Sequence, residues 1–141
     1  NKGILPIIST MPKDNHSVMQ YYLDGKKNNF YTFFFSRNST VHQSKIKNSK
    51  FLNNTHSYLK GLNANTILEK QYRATEKVFL KKKLPFRSFL AFKRDENTIG
   101  GLFCYFVLET ILLGRALGID PYNQPAVELI KTETKKQFSQ R

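Results

Sequence analysis

A chain of 141 residues, 40% hydrophobic and 13% aromatic, is long enough for one domain with its own core and too short for two ordinary ones. Its 23 Lys and Arg against 10 Asp and Glu give a formal charge of +13, which admits a nucleic acid, an anionic membrane or an anionic small substrate as partner. The excess of Lys over Arg, with abundant Asn, Ile, Phe and Tyr, favours a plainer reading, a solvated surface shaped by AT-rich codons, and the single Cys104 excludes an internal disulfide framework and a cysteine-based zinc site.

Asn1-Lys2-Gly3 leads straight into an apolar run, so no signal peptide is expected. Ile4 to Thr10 reads as a short buried strand, irregular at Pro6. Asp14 or Asn15 is placed to cap a helix from about His16 to Leu23, ended by Gly25. The continuous aromatic run Phe30 to Phe35 predicts a central strand covered on both faces. From Arg37 to about Asn54 the polar, weakly patterned chain predicts a long surface loop.

Thr66 and Glu69 have capping-box spacing, and Ile67, Leu68, Tyr72, Thr75, Val78 and Phe79 recur with helical period up to Lys81-Lys82-Lys83. Phe86 to Phe92 predicts a second buried strand. Asp95 to Thr98 can then cap a helix from Ile99 to Leu117 that is apolar nearly all round, which implies burial on several sides and an unreactive Cys104. Its longest apolar stretch, Ile99 to Leu108, is followed by Glu109 and Arg115, so it is expected to be a core helix and not a span, which takes about 20 mostly apolar residues. Gly118 ends it, Asp120-Pro121 turns, and Pro125 opens a last helix to about Gln137. Strands alternating with helices predict a layered α/β domain with a mostly parallel sheet. Three strands make a thin sheet, so the domain is expected to be incomplete in this chain.

Two places could carry chemistry. Gln124 and Lys131, seven residues apart at a helix start, share one face where an amide and an ammonium could hold a sugar phosphate or an anionic transition state. Pattern alone favours a solvated lysine there. His16, with Gln20 one turn on, would be held neutral by the positive end of its helix and able to exchange a proton with a hydroxyl. The plainer alternative is a capping or surface histidine. His42 and His56 have polar surroundings and read as surface residues, and the three histidines lack metal-ligand spacing, so no metal site is expected. Gly100-Gly101 lies inside a predicted helix and reads as structural.

The segment Gln124-Pro125-Ala126-Val127-Glu128-Leu129-Ile130-Lys131 resembles the C-terminal signature of the glucose-6-phosphate isomerase family, Asp-Gln-Pro (or Trp)-Gly-Val-Glu, two residues, then Lys. Asn123 replaces the Asp and Ala126 the Gly. The lead-in, with Glu109 and Gly114 before Gly118-Ile119-Asp120-Pro121-Tyr122, is similar as well. Independently, His16, Gln20 and Gly25 have the spacing of the family's catalytic-His segment, although Met11 to Asn15 replaces the usual Gly-Thr-Asp/Asn-Gly-Gln.

The resemblance implies residues 1–141 as the C-terminal part of such an enzyme: part of a second, layered α/β/α sugar isomerase (SIS) domain plus the C-terminal helix. It implies a cofactor-free, cytoplasmic homodimer that interconverts glucose 6-phosphate and fructose 6-phosphate. His16 would give a proton to the ring oxygen in the neighbouring subunit's site, Lys131 would assist ring opening, and Gln124 would line the pocket. In the family a Glu in a Glu-Ser-Asn-Gly-Lys segment moves the proton between C1 and C2. That segment is absent from this sequence, so the chain alone is expected to be inactive and marginal as a fold. A non-catalytic sugar-phosphate-binding SIS module is the alternative. Neither nucleic acid nor membrane is expected as a partner, since only the charge speaks for the former.

Overall fold

Parallel pairing of the two aromatic runs organises the computed structural model, which describes residues 4–37, 45–46 and 54–139. Strand β1 (Tyr31–Ser36) pairs in parallel with β2 (Phe86–Ala91), with Tyr31 opposite Phe86 and Ser36 opposite Ala91. Parallel strands need a long crossover, and α2 (Ala64–Lys81) lies within it. Ile4–Thr98 form one compact unit, and the residues from Ile99 onward belong to a second.

Alternation along β1 turns Tyr31, Phe33 and Phe35 toward α2. Phe79 of α2 is wholly buried (0% exposed), with the rings of Tyr31 at 4.9 Å, Phe33 at 5.0 Å and Phe86 at 6.1 Å around it. Tyr72, two turns earlier, stacks on Phe35 at 4.8 Å. Burying a side chain such as Phe79 contributes about 1.5–3 kcal/mol, which makes this aromatic seam the core of the unit. The opposite face differs from expectation. Phe34 stacks on Phe89 at 5.3 Å yet remains 58% exposed, because among the described residues α2 packs on one face of the sheet only.

Helix α2 begins earlier than its predicted Thr66 start. Asn63 is the cap, its side-chain oxygen accepting the Thr66 N–H at 2.8 Å, while Glu69 accepts from Arg37 at 2.8 Å instead of closing a capping box. Lys83, left-handed at φ 55°, ends the helix before the buried Leu84 and the exposed Pro85. The predicted loop after Arg37 falls mostly outside the described residues. Of it, Lys45 bridges to Asn63, Ile46 accepts and donates backbone bonds with Gly61 and Leu62, and a 3-10 turn covers Asn54–Leu59.

Ile4 to Thr10 is not a strand. The run has no regular secondary structure and Ile8 is 93% exposed, since an apolar run becomes a strand only where a neighbouring ladder accepts its backbone groups.

In the second unit, α4 (Pro125–Ser139) opens at the predicted Pro125. Helix α3 (Glu96–Ala116) starts slightly before the predicted Ile99, and the Asp95 carboxylate accepts the Thr98 N–H at 2.9 Å. The Thr98 hydroxyl and N–H hold the Asp95 carboxyl below its usual range. Expected burial of α3 is not seen. Phe103 is 70% and Leu112 66% exposed, and Cys104 is exposed. By length and composition alone, α3 is long and apolar enough to cross a membrane. Gly118, at φ 69°, turns the chain out of α3 and lets the Ile119 N–H bond the Gly114 carbonyl at 2.8 Å. A Cβ at Gly114 would meet the Pro121 ring at 3.0 Å, so a side chain there would press on the turn and need it to give by a few tenths of an ångström.

Candidate functional site

His16 does not open a helix. A 3-10 turn over Lys13–Asn15 is followed by His16 itself, and α1 (Met19–Asp24) begins three residues later with no side-chain cap. Six residues also make too short a helix for its dipole to govern a residue outside it. His16 therefore lies exposed in a turn, and Gln20, expected one helical turn along the same face, donates instead to Asp24 at 2.6 Å. Gly25 ends α1 as predicted, its N–H bonded to the Tyr21 carbonyl at 2.8 Å.

Asp14, predicted as a helix cap, bonds elsewhere. Its carboxylate accepts the backbone N–H of Thr10 at 2.6 Å, and its own N–H donates to the Thr10 carbonyl at 3.0 Å. Next to this closure, Ser9 and Tyr22 hydroxyls bond at 2.5 Å, and Tyr31 donates from β1 to the Tyr22 carbonyl at 3.1 Å. Capping propensity is the only sequence signal at Asp14, and it points forward along the chain, whereas the partner lies four residues back. Asp24, at the far end of α1, is bonded by Lys82 from the end of α2, and this ammonium holds its carboxyl below the usual range.

Gln124 and Lys131 are brought onto one helix. The Gln124 carbonyl accepts the N–H groups of Val127 at 3.0 Å and Glu128 at 3.2 Å, which makes Gln124 the first residue of α4's hydrogen-bonded ladder. Lys131, exposed, donates to Glu128 at 2.6 Å one turn back, a solvated pair of small energetic weight. This is the solvated lysine that pattern alone favours. His16 belongs to the larger unit, Gln124 and Lys131 to the smaller.

The remaining candidates fall out. His56 is exposed, with the Tyr58 ring 6.3 Å away, and His42 lies outside the described residues. Gly100 and Gly101 are helical, in α3. Among the described residues no three His, Cys, Asp or Glu side chains gather where a metal ion could be held.

The parallel pair with its helices makes this chain a mixed α/β protein. A solved structure of a hypothetical protein from Thermus thermophilus matches that fold with a TM-score of 0.75 and 22% identity, over 91% of this chain and 30% of the other. No family model matches the chain.

Curated sequences make the resemblance specific. The chain is 30% identical over 131 residues to glucose-6-phosphate isomerase of Limosilactobacillus fermentum, covering 93% of this chain and 29% of that protein. It is 31% identical over 130 residues to the enzyme of the same name from Mycoplasmoides gallisepticum, covering 92% and 30%. For the one from Methanocaldococcus jannaschii the identity is 28%, covering 89% and 30%. The resemblance drawn from the two motifs is thus to glucose-6-phosphate isomerases along nearly the whole chain, and the chain spans about 30% of the length of these relatives.

Proposed function

We propose that residues 1–141 are the C-terminal part of a glucose-6-phosphate isomerase, comprising part of its second SIS domain and its C-terminal helix. The observation that carries this reading is similarity to enzymes of that name along about nine-tenths of the chain, which contains both motifs. Two separate segments, in the right order and over a hundred residues apart, support it.

The reaction is an aldose–ketose isomerisation between glucose 6-phosphate and fructose 6-phosphate. His16, entering from the neighbouring subunit of a homodimer, protonates the ring oxygen as the C1–O bond to it breaks, while the C1 hydroxyl releases its proton to water as the carbonyl forms. Lys131 lies beside the sugar and assists ring opening, its ammonium favouring developing negative charge. Gln124 donates hydrogen bonds to the sugar from the first turn of α4. The proton then moves between C2 and C1 through a cis-enediol, on a glutamate that this sequence does not supply, and the chain alone is inactive for that reason. No cofactor enters the scheme. The setting is cytoplasmic glycolysis and gluconeogenesis, with α3 packed against protein and not lipid. Retention of both His16 and Lys131 favours the enzyme over a non-catalytic module, since binding alone needs no ring-opening groups.

A coupled assay in both directions tests the reading, on the polypeptide of the complete reading frame, on this chain alone, and on Lys131→Ala in the complete frame. Expected are activity in the first, none in the second, and a loss of about 10²-fold or more in the third. An inactive complete frame with either sugar phosphate would sink the isomerase and favour the binding module.

A further inference from the structure

We propose that Asp14 is a positioning residue for His16, its carboxylate closing the loop that presents the imidazole to the sugar's ring oxygen. This rests on the role given to His16 above. Between Thr10 and α1 there is no strand, and only the short 3-10 turn, to orient that side chain, so hydrogen bonds must do it. Asp14 supplies most of them. Its carboxylate and its N–H both bond Thr10, at 2.6 Å and 3.0 Å, and its carbonyl accepts the Val18 N–H at 3.0 Å.

His16 thus lies inside the span from Asp14 to Val18, with Asp14 tied to Thr10 on the other side. The tie is not floating. Ser9, next to Thr10, is bonded to Tyr22, which Tyr31 fastens to β1. A carboxylate accepting an N–H is a charge-assisted bond, stronger than its neutral counterpart, and here it closes the turn from a side chain. Removing it leaves His16 in place in the sequence but loosely aimed, and a displacement of about 1 Å can cost roughly 10²-fold in rate.

A substrate that needs no ring opening separates aim from general damage. 5-Deoxyfructose 6-phosphate lacks the hydroxyl that closes the ketose ring, and its 4-hydroxyl could close only a strained four-membered ring on C2, so it stays open-chain and its isomerisation makes no use of His16. The complete-frame enzyme and its His16→Ala, Asp14→Ala, Asp14→Asn and Asp14→Ala/His16→Ala variants would be assayed on fructose 6-phosphate and on its 5-deoxy analogue. On fructose 6-phosphate, His16→Ala should lower kcat by about 10²–10⁴, and Asp14→Ala by about 10–10². Asp14→Asn, whose amide oxygen still accepts, should recover most of the rate. The double variant should be no slower than His16→Ala. On the 5-deoxy substrate all of them should stay within about threefold of wild type.

Equal losses on both substrates would make Asp14 merely structural and overturn the proposal. So would a wild-type rate in Asp14→Ala beside a crippled His16→Ala. A fully active His16→Ala would overturn the role of His16 itself. Should Asp14→Ala not fold, the ratio of the two rates in Asp14→Glu, which moves the carboxylate by one methylene, decides in the same way.

Discussion

Tyr72 shows how one side chain can join a core to a polar surface. Its ring stacks on Phe35, and its hydroxyl donates at 2.5 Å to a Glu76 oxygen that also accepts from Ser88 of β2 at 2.6 Å. Burial, and then the bond to Glu76, push the phenol above its ordinary 10.0. Because the folded form holds the proton more tightly, the associated stability is complete below pH 10 and lost as pH rises through the raised folded value. An ultraviolet difference titration of wild type against Tyr72→Phe should therefore reveal a phenol that ionises above pH 10. A phenol titrating at or below that value would show that burial and Glu76 do not outweigh the opposing effects of Ser88 and Arg73. Asp14 belongs to the same scale. Nothing in its residue type distinguishes an aspartate that caps forward from one that closes backward, because both use a carboxylate and a nearby N–H. Folding chose between them, since the following helix starts only at Met19.

At the scale of elements, Phe79 and Asn63 are the two places where α2 is most dependent on one residue. Phe79→Ala should cost about 3–5 kcal/mol, because three rings close around a side chain with no exposed surface. Asn63→Ala should cost about 1 kcal/mol, the usual value of a lost cap. Urea unfolding of the complete-frame enzyme would measure both, and similar losses for the two would contradict a core centred on Phe79. The periods of α2, α3 and α4 and both aromatic strands were legible in the sequence, because apolar spacing follows element geometry directly. Ile4 to Ile8 was misread for a physical reason. A run of apolar residues specifies a wish for burial, but strand formation also needs a partner's backbone, which spacing cannot reveal. Of the site, Gln124 and Lys131 were legible as residues on one helix. The turn that holds His16 was not, being made by hydrogen bonds between neighbours and not by periodicity.

On the scale of the whole molecule, the exposed sides of α3 dominate what the chain would do in isolation. Contiguous exposed apolar surface of this kind favours association, so the chain alone should sediment as concentration-dependent oligomers, and Phe103→Lys with Leu112→Glu should shift it toward monomer. Flotation with lipid vesicles would instead indicate that α3 takes to a membrane, against the reading offered here. Parallel pairing of β1 and β2 has a further effect, on the ribosome. Partners such as Thr32 and Arg87 are 55 residues apart, so β1 is synthesised long before β2 exists to pair with it. At about 5–20 residues per second the interval is several seconds. Throughout it, the edge of Phe33-Phe34-Phe35 that β2 later covers stays unpaired, and it is there that a nascent-chain chaperone would have a foothold.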